Sequence, residues 1–222
     1  MVLKLHTMPW SAGGRRVALL LHEKKVPYEL VEPDWAAQEH KSEQWKEKQP
    51  FGQVPYIDDD GFILFESRAI ARYIAAKYAS SGTALLPDDT SDLQAMALID
   101  QGISAELSNF EPYVAGLVVE KLIKPLRGAE PDQAAVAKHE ATLTEKMDGF
   151  ELMLSKRKYM AGDSLTFVDL IFCPYGNALT KMGYDHLTNE SKHPNLARWW
   201  KEISTRETWL AVKDTVPKSF LV

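Results

Sequence analysis

The chain reads as a small α/β domain followed by an all-helical one, and three features of its 222 residues say so. Up to about residue 80, short apolar runs alternate with helices, and two of those runs are joined by a tight turn. From Ser80 to Asp92 the composition shifts to Ser, Gly, Thr, Pro and Asp, the composition of a linker. Beyond it, apolar residues recur only at helical intervals. Val136, Leu143, Met147, Phe150 and Leu154 form one such series, and Leu196, Trp199, Trp200 and Ile203 another. The expected boundaries are residues 1–80 for the α/β domain, 81–90 for the linker and 91–222 for the helical domain.

Val2-Leu3-Lys4-Leu5-His6 alternates and predicts a strand, because successive strand side chains point to opposite faces. Pro9 to Gly14 interrupts it. Val17, Leu20 and Leu21 then line one face of a helix, which Val26-Pro27 stops. Tyr28–Val31 predicts a second strand, and two strands flanking a helix are expected to run parallel. A long polar stretch, Glu32–Gln49, leads to two strands between Gln53 and Phe65 that meet at Asp58–Gly61. So short a turn demands antiparallel pairing. A helix opens at Glu66-Ser67, with Ser67 suited to its N-cap and Ile70, Tyr73, Ile74 and Tyr78 on its apolar face. This order suggests a small sheet with helices against it.

In the second half, Pro112 and Gly116 are expected to bend or break the first long helix. Thr166-Phe167-Val168-Asp169 predicts a capping box, with Leu165 and Leu170 placed as a hydrophobic staple. It is read as a folding device. Cys173 lies in the apolar run Leu170–Pro174 and is read as core.

At 45% hydrophobic and 26% charged, the composition is that of an ordinary globular protein. A net charge of −5 argues against nucleic acid as a partner. Apolar runs such as Val17–Leu21 are too short to span a bilayer, and the first residues turn polar before a signal peptide could form. One cysteine permits no intrachain disulfide, which fits a reducing compartment, so a cytoplasmic location is expected. No His, Cys, Asp or Glu cluster has metal-ligand spacing, so no metal is expected, and no glycine-rich loop cradles a phosphate.

The chemistry concentrates before residue 70. A cis Val54-Pro55 bond would present the Val54 amide and carbonyl as a strand-like partner, with Gln53 adding a neutral donor and acceptor. Glu66 can accept an ammonium, or be a solvated surface charge, and the helix end at Ser67 suits a carboxylate. Together they describe a site for a ligand both peptide-like and zwitterionic, which glutathione is. Ser11, between the first strand and a helix, is either a capping serine or a hydroxyl that donates to a thiolate. His40 and Lys41 can meet a carboxylate at the ligand's far end, or be solvated surface. Trp10, Trp35, Tyr113 and Leu117 suit the walls of an apolar pocket, although core or dimer packing accounts for them equally.

Five separated segments, in order, resemble the glutathione S-transferases, and most closely their phi class. They are Ser11-Ala12-Gly13-Gly14-Arg15-Arg16-Val17, Gln38-Glu39-His40-Lys41, Pro50-Phe51-Gly52-Gln53-Val54-Pro55, Phe65-Glu66-Ser67-Arg68-Ala69-Ile70 and Thr166–Asp169. The resemblance covers nearly the whole chain. It implies a thioredoxin-like N-terminal domain with a cis Pro55, a helical C-terminal domain, and a cytosolic homodimer in which Phe51 is an aromatic key inserted into the partner subunit. It assigns Ser11 to the glutathione thiolate, and His40 and Lys41 to the glycyl carboxylate. Gln53, Val54 and Pro55 fall to the cysteinyl part, and Glu66 and Ser67 to the γ-glutamyl end. The implied reaction is attack of the thiolate on small apolar electrophiles, with peroxide reduction as an allied activity. The competing class is a non-catalytic carrier of glutathione or apolar ligands on the same fold. Gly13 and Gly14 stand where many relatives carry a polar side chain, so a second hydroxyl or amide near the sulfur is absent. Position 11 is not a cysteine, which argues against branches that work through mixed disulfides.

Overall fold

Strand β1 (Leu3–His6) is the centre of a five-stranded sheet, flanked by β2 (Tyr28–Val31) and then β5 (Ser219–Phe220) on one side and by β3 (Tyr56–Asp59) and then β4 (Phe62–Phe65) on the other. The computed structural model describes residues 2–220 and divides into two units, one of residues up to Asp88 together with those from Arg206 onward, the other Asp89–Thr205. In the first unit β1 leads into helix α1, Ala12–Glu23, and then into β2, Tyr28–Val31, which pairs parallel to β1. The crossover follows from composition. Val17, Ala18, Leu19, Leu20 and Leu21 are all fully buried, so α1 is covered on nearly every side. Strands β3 (Tyr56–Asp59) and β4 (Phe62–Phe65) form the expected antiparallel hairpin. Its turn is only Asp60-Gly61, with φ of 57° and 90°, the left-handed pair a two-residue hairpin requires.

The polar stretch before the hairpin is not irregular throughout. It contains a 3-10 turn, Glu39–Lys41, and a short helix α2, Glu43–Lys46. Ser42 caps α2, accepting the Trp45 amide at 3.2 Å, and Trp45 is buried. Four residues are too few to show a helical period, which is why the sequence hides this helix. Helix α3, Ser67–Lys77, buries Ile70, Ala71, Ile74 and Ala75. Tyr73, expected on that face, lies at its flank, where its hydroxyl donates to Asp59 at 2.8 Å.

The residues from 206 on, expected in the helical domain, belong to the first unit. Helix α11 (Glu207–Leu210, numbered by its place in the chain) is anchored by buried Trp209, and Val212 and Val216 are buried after it. Strand β5, Ser219–Phe220, then pairs antiparallel with β2. An ion pair fastens the start of this segment. The Arg206 guanidinium makes two hydrogen bonds, at 2.5 and 2.8 Å, to the buried Glu23 carboxylate, to which the Thr208 hydroxyl also donates.

The second unit is helical throughout its regular elements: α4 (Leu93–Asn109), α5 (Glu111–Val118), α6 (Lys124–Leu126), α7 (Gln133–Leu154), α8 (Phe167–Leu170), α9 (Cys173–Lys181) and α10 (Pro194–Ser204). The buried residues of α7 are Val136, Leu143, Met147, Phe150 and Leu154, the series read from the sequence. The first long helix breaks at Phe110, with Pro112 in the next helix's first turn, and widens again over Val119–Ile123. Gly116 breaks nothing. A β carbon there would lie 2.3 Å from the His139 ring, so glycine lets α7 approach α5. The Thr166–Asp169 capping box is present. The buried Asp169 carboxylate also accepts the Met160 amide and the Trp199 indole N–H, each at 2.8 Å, and so ties three segments together. Burial pushes its pKa up against these bonds. Cys173 is fully buried. Among the described residues no helix is long and apolar enough to cross a membrane.

Candidate glutathione site

Ser11 ends a turn, Met8–Ser11, closed by the Ser11 amide on the Met8 carbonyl at 3.0 Å. It then caps α1, its Oγ accepting the Gly14 amide at 3.1 Å. The capping reading of this serine holds, and capping does not use the hydroxyl proton. Capping occupies a lone pair, while the hydroxyl proton has no acceptor among the described residues. Ser11 is only 8% exposed, and the first turn of α1 carries no acidic side chain. The helix N-terminus therefore favours an anion there.

The expected ligand-holding residues form a circuit that starts and ends beside Ser11. Trp10 meets Trp35 edge to face at 5.4 Å, and Trp35 stacks on the His40 ring at 3.9 Å. Lys41 donates to the Gly52 carbonyl at 2.6 Å. Gln53 is fixed through its backbone: its amide donates to the buried Gln49 side chain at 3.0 Å, and its carbonyl accepts the Trp45 indole N–H at 3.0 Å. Its exposed side chain stays available. Val54-Pro55 is cis, and the Val54 amide and carbonyl have no partner among the described residues. The circuit closes at Gly13, where a β carbon would stand 2.7 Å from Pro55 Cδ. At Gly14 a β carbon would lie 2.5 Å from the buried Thr7 hydroxyl. The polar side chains missing here have no room: α1 packs directly on the Val54-Pro55 segment and on Thr7, just after β1.

Glu66 and Ser67 lie at the start of α3, but in other roles than the helix signals predict. Glu66 is the cap residue, with a φ of 66° and ψ of 105°, a strained backbone for a residue with a side chain. Its exposed carboxylate has no partner among the described residues. Ser67 is the first helical residue, and its hydroxyl accepts from Arg16 at 2.7 Å. Arg16 escaped the sequence reading. It is almost wholly buried and joins the helix carrying Ser11 to the helix carrying Ser67. Its signal is its position four residues before Leu20, a charge on the apolar face of α1.

His40 is held below the ordinary histidine range by burial and by neighbouring Lys41, so it is neutral at pH 7. Its Nδ1 is buried without a partner. Trp10 and Trp35 are 54% and 37% exposed, a large apolar surface beside Ser11. Within the helical unit Tyr113 is half-buried near His139, whereas Leu117 lies with Val114 on the buried face of α5 and presents no surface. Phe51 is 65% exposed, with its ring against Phe65. Among the described residues, no three His, Cys, Asp or Glu side chains converge on a metal position.

The chain that carries this serine-capped helix and proline loop matches known proteins along nearly its whole length. A profile described as "Glutathione S-transferase, N-terminal domain" covers residues 1–76, and one described as "Glutathione S-transferase, C-terminal domain" covers residues 110–207. Glutathione S-transferase hmp2 of Hypomyces subiculosus is 40% identical over 95% of this chain and 97% of its own. The solved glutathione transferase F7 of Populus trichocarpa is 36% identical, with a TM-score of 0.85 over 95% of this chain and 97% of its own. Maize glutathione S-transferase I, solved in complex with an atrazine glutathione conjugate, is 29% identical with a TM-score of 0.84 over 96% and 97%. The chain belongs to the glutathione S-transferase family and is most like its phi class.

Proposed function

We propose that this protein is a glutathione transferase in which the Ser11 hydroxyl donates to the glutathione sulfur, stabilising a thiolate that attacks apolar electrophiles. The observation that carries the reading is the state of Ser11: buried at a helix N-terminus, with its lone pair used in capping and its proton free. Lowering a thiol pKa by about two units takes about 2.7 kcal/mol. One hydrogen bond to an anion contributes about 1.5–3 kcal/mol, and a helix end adds roughly 0.3–1 kcal/mol. The two together suffice.

Around that sulfur, His40 and Lys41 take the glycyl carboxylate, Val54 pairs with the cysteinyl backbone beside Pro55, and Gln53 adds its side-chain amide. Glu66 takes the γ-glutamyl ammonium, while Ser67 at the N-terminal end of α3 takes the α-carboxylate. The electrophile lies against Trp10 and Trp35, whose exposed rings suit a planar apolar molecule. The atrazine conjugate bound by the maize relative is of this type. The single, buried cysteine fits a reducing compartment, which we take to be the cytosol. Turnover with glutathione over a panel of aromatic halides, isothiocyanates and peroxides is the test. Glutathione binding without turnover of any of them would leave only the carrier reading.

Glu66→Ala raises the glutathione KM by roughly 10- to 100-fold with little change in kcat, the loss of a charged hydrogen bond of about 1.5–3 kcal/mol. Ser67→Ala acts in the same direction and also removes one hydrogen bond from the Arg16 guanidinium. Calorimetry finding wild-type affinity in both variants would sink the assignment.

We also propose a homodimer that uses Phe51. An aromatic ring 65% exposed is not a core residue of the first unit, and aromatics are enriched among interface anchors. Phe51→Ala weakens the dimer by about 2 kcal/mol, roughly thirty-fold in Kd. Sedimentation at micromolar concentration reads this directly, and an equally tight variant dimer would remove Phe51 from the interface.

A further inference from the structure

The turn that presents Ser11 is held from outside by the end of the chain. Pro9 is the second residue of the Met8–Ser11 turn, and its carbonyl, unused within the turn, accepts the Val216 amide at 2.9 Å. Four residues after Ser11, Arg15 donates from Nη1 to the Lys213 carbonyl at 2.5 Å. The C-terminal segment therefore grips the serine loop on both sides, two residues before Ser11 and four after it.

This strap has its own anchors. Its start is fixed by Arg206 on Glu23, its middle by buried Trp209, Val212 and Val216, and its end by β5 against β2, with the Leu30 amide on the Lys218 carbonyl at 2.8 Å. Neither grip is a bond within the turn or within α1, so local sequence alone does not set where the Ser11 hydroxyl lies. We propose that the strap positions Ser11, with Arg15 and the Val216 amide as positioning residues for thiolate stabilisation. The reason is geometric: a hydrogen bond to a thiolate weakens steeply with misalignment, and a displacement of about 1 Å at a reacting centre can cost about a hundredfold in rate.

This inference rests on the assignment of Ser11 to the glutathione sulfur, and the experiment separates the two. In the full-length chain, Arg15→Met, Arg15→Lys, Val216→Pro and Ser11→Ala are compared with wild type. The readouts are the thiol pKa of bound glutathione, from thiolate ultraviolet absorbance against pH, with kcat, glutathione KM and melting temperature. Arg15→Met and Val216→Pro are expected to raise the thiol pKa by about one unit and to lower kcat about tenfold at neutral pH, with KM within about threefold. Arg15→Lys, which keeps a donor for the Lys213 carbonyl, brings the thiol pKa and kcat most of the way back to wild type. A purely structural strap would lower the melting temperature and leave the thiol pKa where it was. That result, with Ser11→Ala still raising the pKa, overturns the proposal alone. An unmoved pKa in Ser11→Ala overturns the serine assignment and this inference with it. Should Val216→Pro fail to fold, the Arg15 pair decides.

Discussion

Ser11→Ala lowers kcat by about 10- to 100-fold while glutathione affinity stays within a few-fold of wild type. The direction follows from what the hydroxyl does in each state. In the proposed mechanism the hydroxyl makes its donated bond to the developing thiolate, worth about 1.5–3 kcal/mol, and not to the peptide frame of the ligand. The loss should be largest at neutral pH and shrink at alkaline pH, where the thiol ionises unaided. The variant also loses the cap on the Gly14 amide, which costs about 1 kcal/mol of stability. Steady-state kinetics against pH, with calorimetry for binding, tests both parts. Equal rates at neutral pH would mean that another group stabilises the sulfur.

Arg206→Ala gives the second large effect, on stability. Glu23 is 2% exposed, and its carboxylate is held by Arg206, Thr208 and Thr83. Removing one partner of a buried ion pair costs about 3 kcal/mol, because the remaining charge is left short of hydrogen bonds. That corresponds to a fall in melting temperature of roughly 6–12 °C for a chain of this size. Burial pushes the Glu23 carboxyl up, but the bonds from Arg206, Thr208 and Thr83 more than offset it and leave it below its ordinary range. The contribution is therefore present above the unfolded carboxyl pKa and disappears as pH falls through the lower folded value. Thermal unfolding of both proteins across acid pH should show their difference narrowing as pH drops. A constant gap down to the lowest pH would mean that the ion pair is not its source.

Much of this architecture is visible in local patterns. Alternation marks β1, the Asp60-Gly61 turn marks the β3–β4 hairpin, and the series from Val136 to Leu154 marks the buried face of α7. The residues proposed for the glutathione site are legible for a related reason. Each is tied to a local event, a cap, a turn or a proline, and such events are written in residues next to one another. The short α2 was hidden because its four residues show no period, and the true break in the first long helix lies at Phe110 rather than Gly116.

What the chain's sequence determined by itself is the sheet-and-helix half, the helical half, and the residue types that suit a zwitterionic peptide-like ligand. Tertiary structure alone decided where the last residues go and what surrounds Ser11. Arg15 meets a carbonyl 198 residues away, and Arg16 meets Ser67 across 51. Glycines at 13 and 14 are required by Pro55 and Thr7, not by their own backbone angles. Periodicity reports which face of an element is apolar, whereas a hydrogen bond between distant segments depends on the register in which those faces pack. That register follows from packing the whole core, and no short stretch of sequence contains it.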